Sequence, residues 1–223
     1  MTSPLLHVLV PGRHHLITAF QVQRLREILR GEARDEAGNA VEMTNGAAVV
    51  WAVTSATHHG TRRNPVPANR REAMIEATSD AAGLTSLVAP VPDVPHSPRF
   101  ASTVVRSASL TLGLDLTPAT TVVACSTPEV AALFRELGYR IVPMEDAFDP
   151  QPELPWRVLE LAVADGAGWR DLVDPAALRY LGRYRVRDLI RATHADPTVS
   201  ADGDLTQTRD YAVYTAAFDE GSD

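Results

Sequence analysis

Short apolar runs that alternate with segments of helical spacing are the feature that most constrains the fold of this chain. Five runs have the length and apolar character of buried strands, and they lie at Leu5–Val10, Ala47–Val53, Thr85–Ala89, Thr121–Ala124 and Arg140–Val142. Helical spacing fills most of the intervals, so each strand is expected to return to the sheet through a helical crossover. The alternation predicts an α/β protein with a doubly wound, Rossmann-like parallel sheet that carries helices on both faces.

The predicted helices have recognisable ends. An apolar stripe predicts an amphipathic helix from residue 18 to about 31. The segment TPEVAALFRELG predicts a helix over Pro128–Leu137, with Thr127 as its N-cap and Gly138 closing its C-terminal end. The remaining predicted helices are Ala68–Ser79, Thr103–Leu112, Trp156–Ala164 and Pro175–Thr193.

A change of composition after Val142 divides the chain into unequal parts. The segment PMEDAFDPQPELP is rich in proline and acidic residues and is typical of a loop. We therefore expect residues 1–150 to form the Rossmann-like domain and residues 151–194 to form a small C-terminal helical extension of the same domain. Residues 195–223 are expected to be a polar, acidic tail, in which YAVYTAAF is either a late strand or a partner-binding segment.

The charge and cysteine content narrow the class of partner. A formal net charge of -7 argues against a protein whose main partner is nucleic acid, and a small molecule fits better. All 21 residues counted as Lys or Arg are arginines, so any phosphate clamp must use guanidinium groups. The single cysteine, Cys125, fits a reducing cytoplasm, and no secretory signal or apolar run of about 20 residues is present. We expect a cytoplasmic protein without a membrane partner, and a homo-oligomer is compatible with the sequence.

The turn from the first strand into the first helix carries anion-binding groups. In an open parallel sheet, ligands bind beyond the carboxyl ends of the strands, where loops lead into helices. The segment PGRHHLITAFQ, residues 11–21, occupies such a place, and the first N–H groups of a helix attract phosphate. The loops at residues 54–67, residues 90–100 and Cys125–Thr127 are expected to meet it at the same edge of the sheet.

Five pieces of sequence, in this order, support a family resemblance. After the Gly12-Arg13 turn come TSATHHGTRRNPVPANRREAMI, PVPDV, CSTPEVAALFRELGYRI and ADGAGWRDLVDPAAL. Together they resemble the archaeal type of nicotinamide mononucleotide adenylyltransferases and, more broadly, the HxGH nucleotidyltransferase superfamily. The resemblance runs from about Val8 to Leu178.

The resemblance implies an activity and a set of site residues. The activity is transfer of an NMP from ATP or CTP to a phosphate- or phosphonate-bearing small molecule, with release of pyrophosphate. Mg²⁺ is expected with the triphosphate, held mostly by phosphate oxygens and water, so no protein metal motif is expected. The implied catalytic residues are Arg13, His15, Thr18 and Gln21. The implied nucleotide-binding residues are Pro11, Gly12, His14, Ser126, Thr127 and Arg157. The implied acceptor-binding residues are Ser55, Asn64, Arg71, Asp93, Arg99 and Phe100.

This chain departs from the family pattern mainly at positions that the resemblance assigns to catalysis. Thr18 replaces the first histidine of HxGH, as in the TxGH form of phosphopantetheine adenylyltransferases, and Gln21 replaces the second. Gln21 donates hydrogen bonds but does not become cationic. The family's SGTxIR positions are occupied by Pro155–Glu160, and Phe100 stands where the family has a stacking tryptophan. Two hypotheses compensate for these losses: Arg157 reaches the phosphates by another route, or His14 and His15 replace the missing charge.

The same residues also admit interpretations that do not involve catalysis. A chain that kept nucleotide affinity and lost turnover would be a sensor or scaffold of the same fold. Thr18 is equally suited to be an N-cap, Arg71 to be a solvated helix charge and Asp93 to be a structural turn residue. The adjacent His58 and His59 lack further ligands at metal-binding spacing, which favours a basic loop over the phosphates instead.

Overall fold

The computed structural model describes residues 5–93, 97–145 and 150–196, and a five-stranded parallel sheet lies at its centre. The strands are β1 (Leu5–Gly12), β2 (Met43–Val53), β3 (Ser86–Pro90), β4 (Thr121–Ala124) and β5 (Arg140–Val142). Their order is β3-β2-β1-β4-β5, and every adjacent pair is parallel. The predicted doubly wound α/β fold is confirmed.

Helices connect the strands and continue beyond the last of them. They are α1 (Ala19–Leu29), α2 (Ala68–Ala82), α3 (Phe100–Leu112), α4 (Pro128–Glu136), α5 (Pro155–Ala164), α6 (Trp169–Leu172), α7 (Pro175–Arg183) and α8 (Val186–Ala195). In the described part of the chain, none of these helices is long and apolar enough to cross a membrane. Of the tail predicted over residues 195–223, Ala195 is the last residue of α8, and residues 197–223, including YAVYTAAF, lie outside the described residues.

Each face of the sheet is buried in its own apolar cluster. Along β1, Val8 and Val10 belong to the cluster covered by α1, α2 and the C-terminal helices, whereas Leu9 belongs to the cluster covered by α3 and α4. Because successive side chains of a strand point to opposite faces, burial on both faces requires a continuous apolar run. This requirement explains the near absence of polar residues in the strand centres.

The C-terminal helices are joined to the start of α1 as well as to the core. The Asp174 N–H donates to the carbonyl oxygen of Ile17 at 2.9 Å, and Thr18 and Val173 form an antiparallel bridge. Ala177 and Leu181 of α7 are buried in the same cluster as α1. The extension therefore packs on the sheet face that carries α1, directly behind the turn after β1.

The single helix expected over Pro175–Thr193 is wrong, because the chain breaks it into α7 and α8. Arg185 adopts a left-handed conformation with φ of 51°, and its N–H bonds to the Gly182 carbonyl. Leu181 and Val186 are both buried, yet five residues of one continuous helix would place them about 140° apart. The break allows both side chains to reach the core.

Candidate functional site

The carboxyl edge of the sheet opens between β1 and β4. Strand β4 pairs with β1 up to Leu9 and Val123 and ends one residue later, whereas β1 continues along β2 to the pair Gly12 and Val53. The chain also reverses its direction of sheet growth here, because β2 and β3 lie on one side of β1 and β4 and β5 on the other. Such a switch point is where open α/β sheets bind ligands. A cleft of about 470 Å³ occupies it.

The cleft walls come mainly from the turn after β1, the first turn of α4, the segment after β5 and the first turn of α5, with single residues from α1, α3 and the loop after β2. The sequence-predicted residues that line it are Pro11, Gly12, Arg13, His14, His15, Gln21, Phe100, Ser126 and Thr127. The structure therefore brings together most of the predicted catalytic and nucleotide-binding residues. Thr18, Arg157 and five of the six predicted acceptor-binding residues do not line this cleft.

His14 folds back over the end of β1. Its φ is 53°, and its Nε2 lies 3.2 Å from the Val10 carbonyl oxygen, to which it donates. The ring also meets the ring of Trp51 edge to face, with centroids 5.0 Å apart. A Cβ on Gly12 would lie 2.8 Å from His14 Cε1, so the ring needs glycine at that position. Burial lowers the pKa of His14 to about 4, which leaves it uncharged at neutral pH.

His15 and Arg13 present the polar groups of this turn to the cleft. His15 is 7% exposed, and neither of its ring nitrogens makes a hydrogen bond of normal geometry. Burial, followed by the charges of Arg71 and Arg13, holds the pKa of His15 well below its usual range, while hydrogen bonding to the backbone of Arg63 acts weakly in the opposite direction. A neutral imidazole without a well-formed hydrogen bond therefore stands beside a guanidinium at the cleft wall.

Arg71 is buried beneath the turn and acts on the backbone. Its Nη1 donates to the carbonyl oxygens of Arg13 at 2.7 Å and Thr54 at 2.8 Å, and its Nη2 donates to that of Ser55 at 2.9 Å. The interpretation of Arg71 as a solvated helix charge is wrong, because the side chain is fully buried. Burial and then the Arg13 charge lower the pKa of Arg71 to about 10, so the group stays cationic at neutral pH. Arg71 joins the loops after β1 and β2.

Thr18 and Gln21 are bonded to each other. The Thr18 N–H and Oγ1 both donate to Gln21 Oε1, at 3.0 Å and 3.1 Å. Thr18 is the N-cap residue of α1 and is fully buried, whereas Gln21 reaches the cleft wall. The arrangement is that of a capping box, which fixes the first turn of α1.

Of the residues predicted to bind nucleotide from the far wall, Ser126 and Thr127 line the cleft and Arg157 does not. Ser126 Oγ accepts the Glu145 N–H at 3.3 Å, and Thr127 is the N-cap residue of α4. Arg157 forms an ion pair with Glu160 at 2.7 Å on the exposed side of α5. Its neighbour Trp156 lines the cleft instead. The hypothesis that Arg157 reaches the phosphates finds no support in this geometry.

The predicted acceptor-binding residues connect the loops after β2 and β3. Ser55 Oγ donates to Asp93 Oδ1 at 2.7 Å, and the Asp93 N–H donates to Thr57 Oγ1 at 3.0 Å. Asn64 is buried in the first of these loops, and Arg99 is exposed just before α3. Phe100 alone among the six predicted residues faces the cleft. The pair of Ser55 and Asp93 supports the structural interpretation of Asp93.

The cleft residues that were missed from the sequence include Glu129, Glu145 and Trp156. Glu129 stands in the first turn of α4 and Glu145 follows β5 by three residues, so both occupy the carboxyl edge that the strand pattern predicts. Their position after a strand was the signal available. Within the described residues, no group of three or more His, Cys, Asp or Glu side chains is arranged to hold a metal ion.

Comparisons with known proteins define the class of fold. No protein-family model matches the chain, and a search of curated proteins found no match. Among solved structures, the chain is similar to a bifunctional NMN adenylyltransferase/ADP ribose pyrophosphatase from Francisella tularensis, with a TM-score of 0.60, 8% identity and coverage of 99% of this chain and 58% of that one. It is also similar to a bifunctional enzyme of the same description from that organism complexed with AMP and a Mn ion, with a TM-score of 0.54, 12% identity and coverage of 83% and 52%. This chain thus spans little more than half the length of these neighbours, and it has the nucleotidyltransferase fold.

Proposed function

We propose that the protein is a nucleotidyltransferase that joins an NMP from ATP or CTP to a phosphate- or phosphonate-bearing small molecule and releases pyrophosphate. One observation carries the proposal: a cleft at the β1–β4 switch point is walled by Arg13, His15 and the first turns of α4 and α5. A cationic side chain, a polar imidazole and two helix N-termini around one cavity favour a polyanionic ligand. The neighbour that was solved with AMP and a Mn ion supports a nucleotide with a divalent cation as that ligand.

In this proposal the reaction proceeds by positioning and electrostatic stabilisation. An oxygen of the acceptor phosphate attacks the α-phosphorus of the nucleotide, and the bond to the bridging oxygen breaks to release pyrophosphate. Arg13 stabilises the charge that builds on the phosphate oxygens, and Gln21 donates one hydrogen bond from the start of α1. Phe100 packs against the acceptor. Mg²⁺ would neutralise part of the triphosphate charge, and the carboxylates of Glu129 and Glu145 supply the oxygen donors that this ion prefers.

The test is a pyrophosphate-release screen. Each of the four NTPs is incubated with Mg²⁺, the protein and a panel of phosphate- and phosphonate-bearing acceptors. We expect release with at least one ATP or CTP pair, and we expect Arg13→Gln to lower kcat/KM by about 10- to 1000-fold. Arg106→Gln is the matched control, because Arg106 is an exposed arginine on α3 outside the cleft. Equal rates for the two variants would contradict the assignment of Arg13.

A second candidate function is that of a nucleotide-binding sensor or scaffold. The observation that favours it is the hydrogen bond between Thr18 and Gln21, because these two residues stand where the family has its catalytic histidines and they satisfy each other. Thermal stabilisation by an NTP without pyrophosphate release from any acceptor selects this candidate. Release from any acceptor selects the enzyme.

A further inference from the structure

We propose that His15 is uncharged while the cleft is empty and takes up one proton when a phosphate group enters, so that the imidazolium and Arg13 hold the anion together. The inference rests on the proposed function, because it concerns the phosphate-binding end of the same cleft. It adds that ligand affinity depends on pH through one named side chain. It also assigns His15 the cationic imidazole that Thr18 and Gln21 do not supply.

The first step of the argument is the unused hydrogen-bonding capacity of His15. The side chain is 7% exposed, lines the cleft and makes no hydrogen bond of normal geometry at Nδ1 or Nε2, although the backbone of Arg63 interacts with the ring. A buried donor or acceptor without a well-formed hydrogen bond destabilises the empty cleft. A phosphate oxygen in the cleft provides an acceptor, and an imidazolium nitrogen always carries the hydrogen to donate to it. His14 has less such capacity, because its Nε2 already donates to the Val10 carbonyl and only Nδ1 is left.

The second step is the charge around His15. The groups that act on it or share its cleft are Arg13 and His14 in its own turn, Arg71 of α2, the backbone of Arg63, and Glu129 and Glu145 on the far wall. Glu72 of α2 acts on Arg71. Among the described residues Arg71 forms no salt bridge, and three backbone carbonyls receive its hydrogen bonds. Two guanidinium charges therefore oppose a third positive charge on His15 until an anion arrives. A dianionic phosphate reverses that balance, which draws a proton from solvent onto the ring.

The third step is the reciprocal effect on binding. If the anion favours the protonated ring, then protonation favours the anion by the same factor. One proton taken up on binding corresponds to a tenfold change in affinity for each pH unit, which is the upper limit expected here. Affinity should rise as pH falls toward 5.5 from 7.5.

The experiment uses sulfate as the probe, because this tetrahedral dianion does not itself titrate in that range. Calorimetry of the unaltered protein in two buffers of different ionisation heat measures the protons taken up, and the same titration with MgATP follows. We expect uptake approaching one proton and an affinity gain of up to about tenfold per pH unit. His15→Gln should bind without uptake, and His194→Gln on α8 is the matched control that removes a histidine outside the cleft.

The outcomes separate the two proposals. Sulfate or MgATP binding without proton uptake, uptake that persists in His15→Gln, or no sulfate binding at any pH would overturn the role of His15. MgATP binding together with pyrophosphate release would leave the proposed function standing in each of those cases. Failure of every NTP to bind at every pH would overturn the proposed function itself.

Discussion

At the scale of single residues, the contact between Gly12 and His14 holds the turn after β1. Replacing Gly12 with alanine puts a methyl group 2.8 Å from His14 Cε1, so the ring must leave its place against Val10 and Trp51. We expect Gly12→Ala to lower the free energy of unfolding by about 1–3 kcal/mol in urea titrations. The cost should shrink in a His14→Gly background, which keeps a residue suited to positive φ. An unchanged cost in the double mutant would contradict the steric origin.

The burial of His14 also gives stability a pH dependence. Its pKa is about 4 in the folded protein and about 6.5 in an unfolded chain, so between these values only the unfolded state binds the proton. Stability is therefore complete above about pH 6.5 and falls toward pH 4 by about 1.4 kcal/mol per unit from this residue alone. Chemical denaturation of His14→Asn across this window should show a slope shallower by that amount. Parallel slopes for the two proteins would show that His14 protonates in the folded state.

At the scale of elements, Arg71 of α2 fixes two loops against each other. Arg71→Met removes the donor from three buried carbonyl oxygens, each of which costs about 1–3 kcal/mol when left without a partner. Relief of a buried charge offsets part of this, and we expect a net loss of about 2–5 kcal/mol in the free energy of unfolding. Arg70→Met is the matched control, because Arg70 donates one bond to the Tyr184 carbonyl on the exposed side of the helix. We expect the control to change stability by about 0.5 kcal/mol or less, and equal losses in the two variants would contradict the bracing role.

The junction between α7 and α8 stores backbone strain in one residue. A non-glycine residue in the left-handed region costs about 1–2 kcal/mol, and Arg185 has a φ of 51°. Arg185→Gly should raise the thermal midpoint, even though it gives up the exposed ion pair with Asp188. Arg179→Gly, at an exposed position inside α7, should instead destabilise by about 1 kcal/mol. A loss of stability in both variants would contradict the idea that Arg185 is strained in its left-handed conformation.

The strands and helices also show which structural features could be predicted from the sequence. Strands followed from apolar runs because burial on both faces leaves that mark along the strand, and all five predicted strands are present, although β2 begins at Met43, four residues before the predicted Ala47. The helix break at Arg185 did not follow, because it depends on where Leu181 and Val186 meet the core. The same limit applies to Arg71, whose three acceptors come from two loops distant in sequence, and to Arg157, whose direction is set by rotation of α5. Residue type and loop position predicted the cleft, and three-dimensional packing decided which side chains line it.

At the scale of the whole molecule, the C-terminal helices and the sheet share one core. Trp169, Ala177 and Leu181 are buried in the same cluster as Val8 and Val10 of β1, and the turn before α1 is bonded to the start of α7. Removing those side chains would expose the sheet face that supports the cleft. The C-terminal helices are therefore expected to act as part of the folding unit that builds the turn after β1.

This coupling predicts a single unfolding transition. Urea curves followed by tryptophan fluorescence and by far-ultraviolet circular dichroism should coincide, because no part of this core can open without the rest. Leu181→Ala should shift both curves together by about 2–5 kcal/mol, the usual cost of emptying a buried leucine site. A chain that ends at residue 150 should fail to fold, since it lacks one wall of the cluster that contains β1. Two separated transitions, or a folded fragment of residues 1–150 that still binds nucleotide, would show that the Rossmann-like part forms its site without the helices packed behind it.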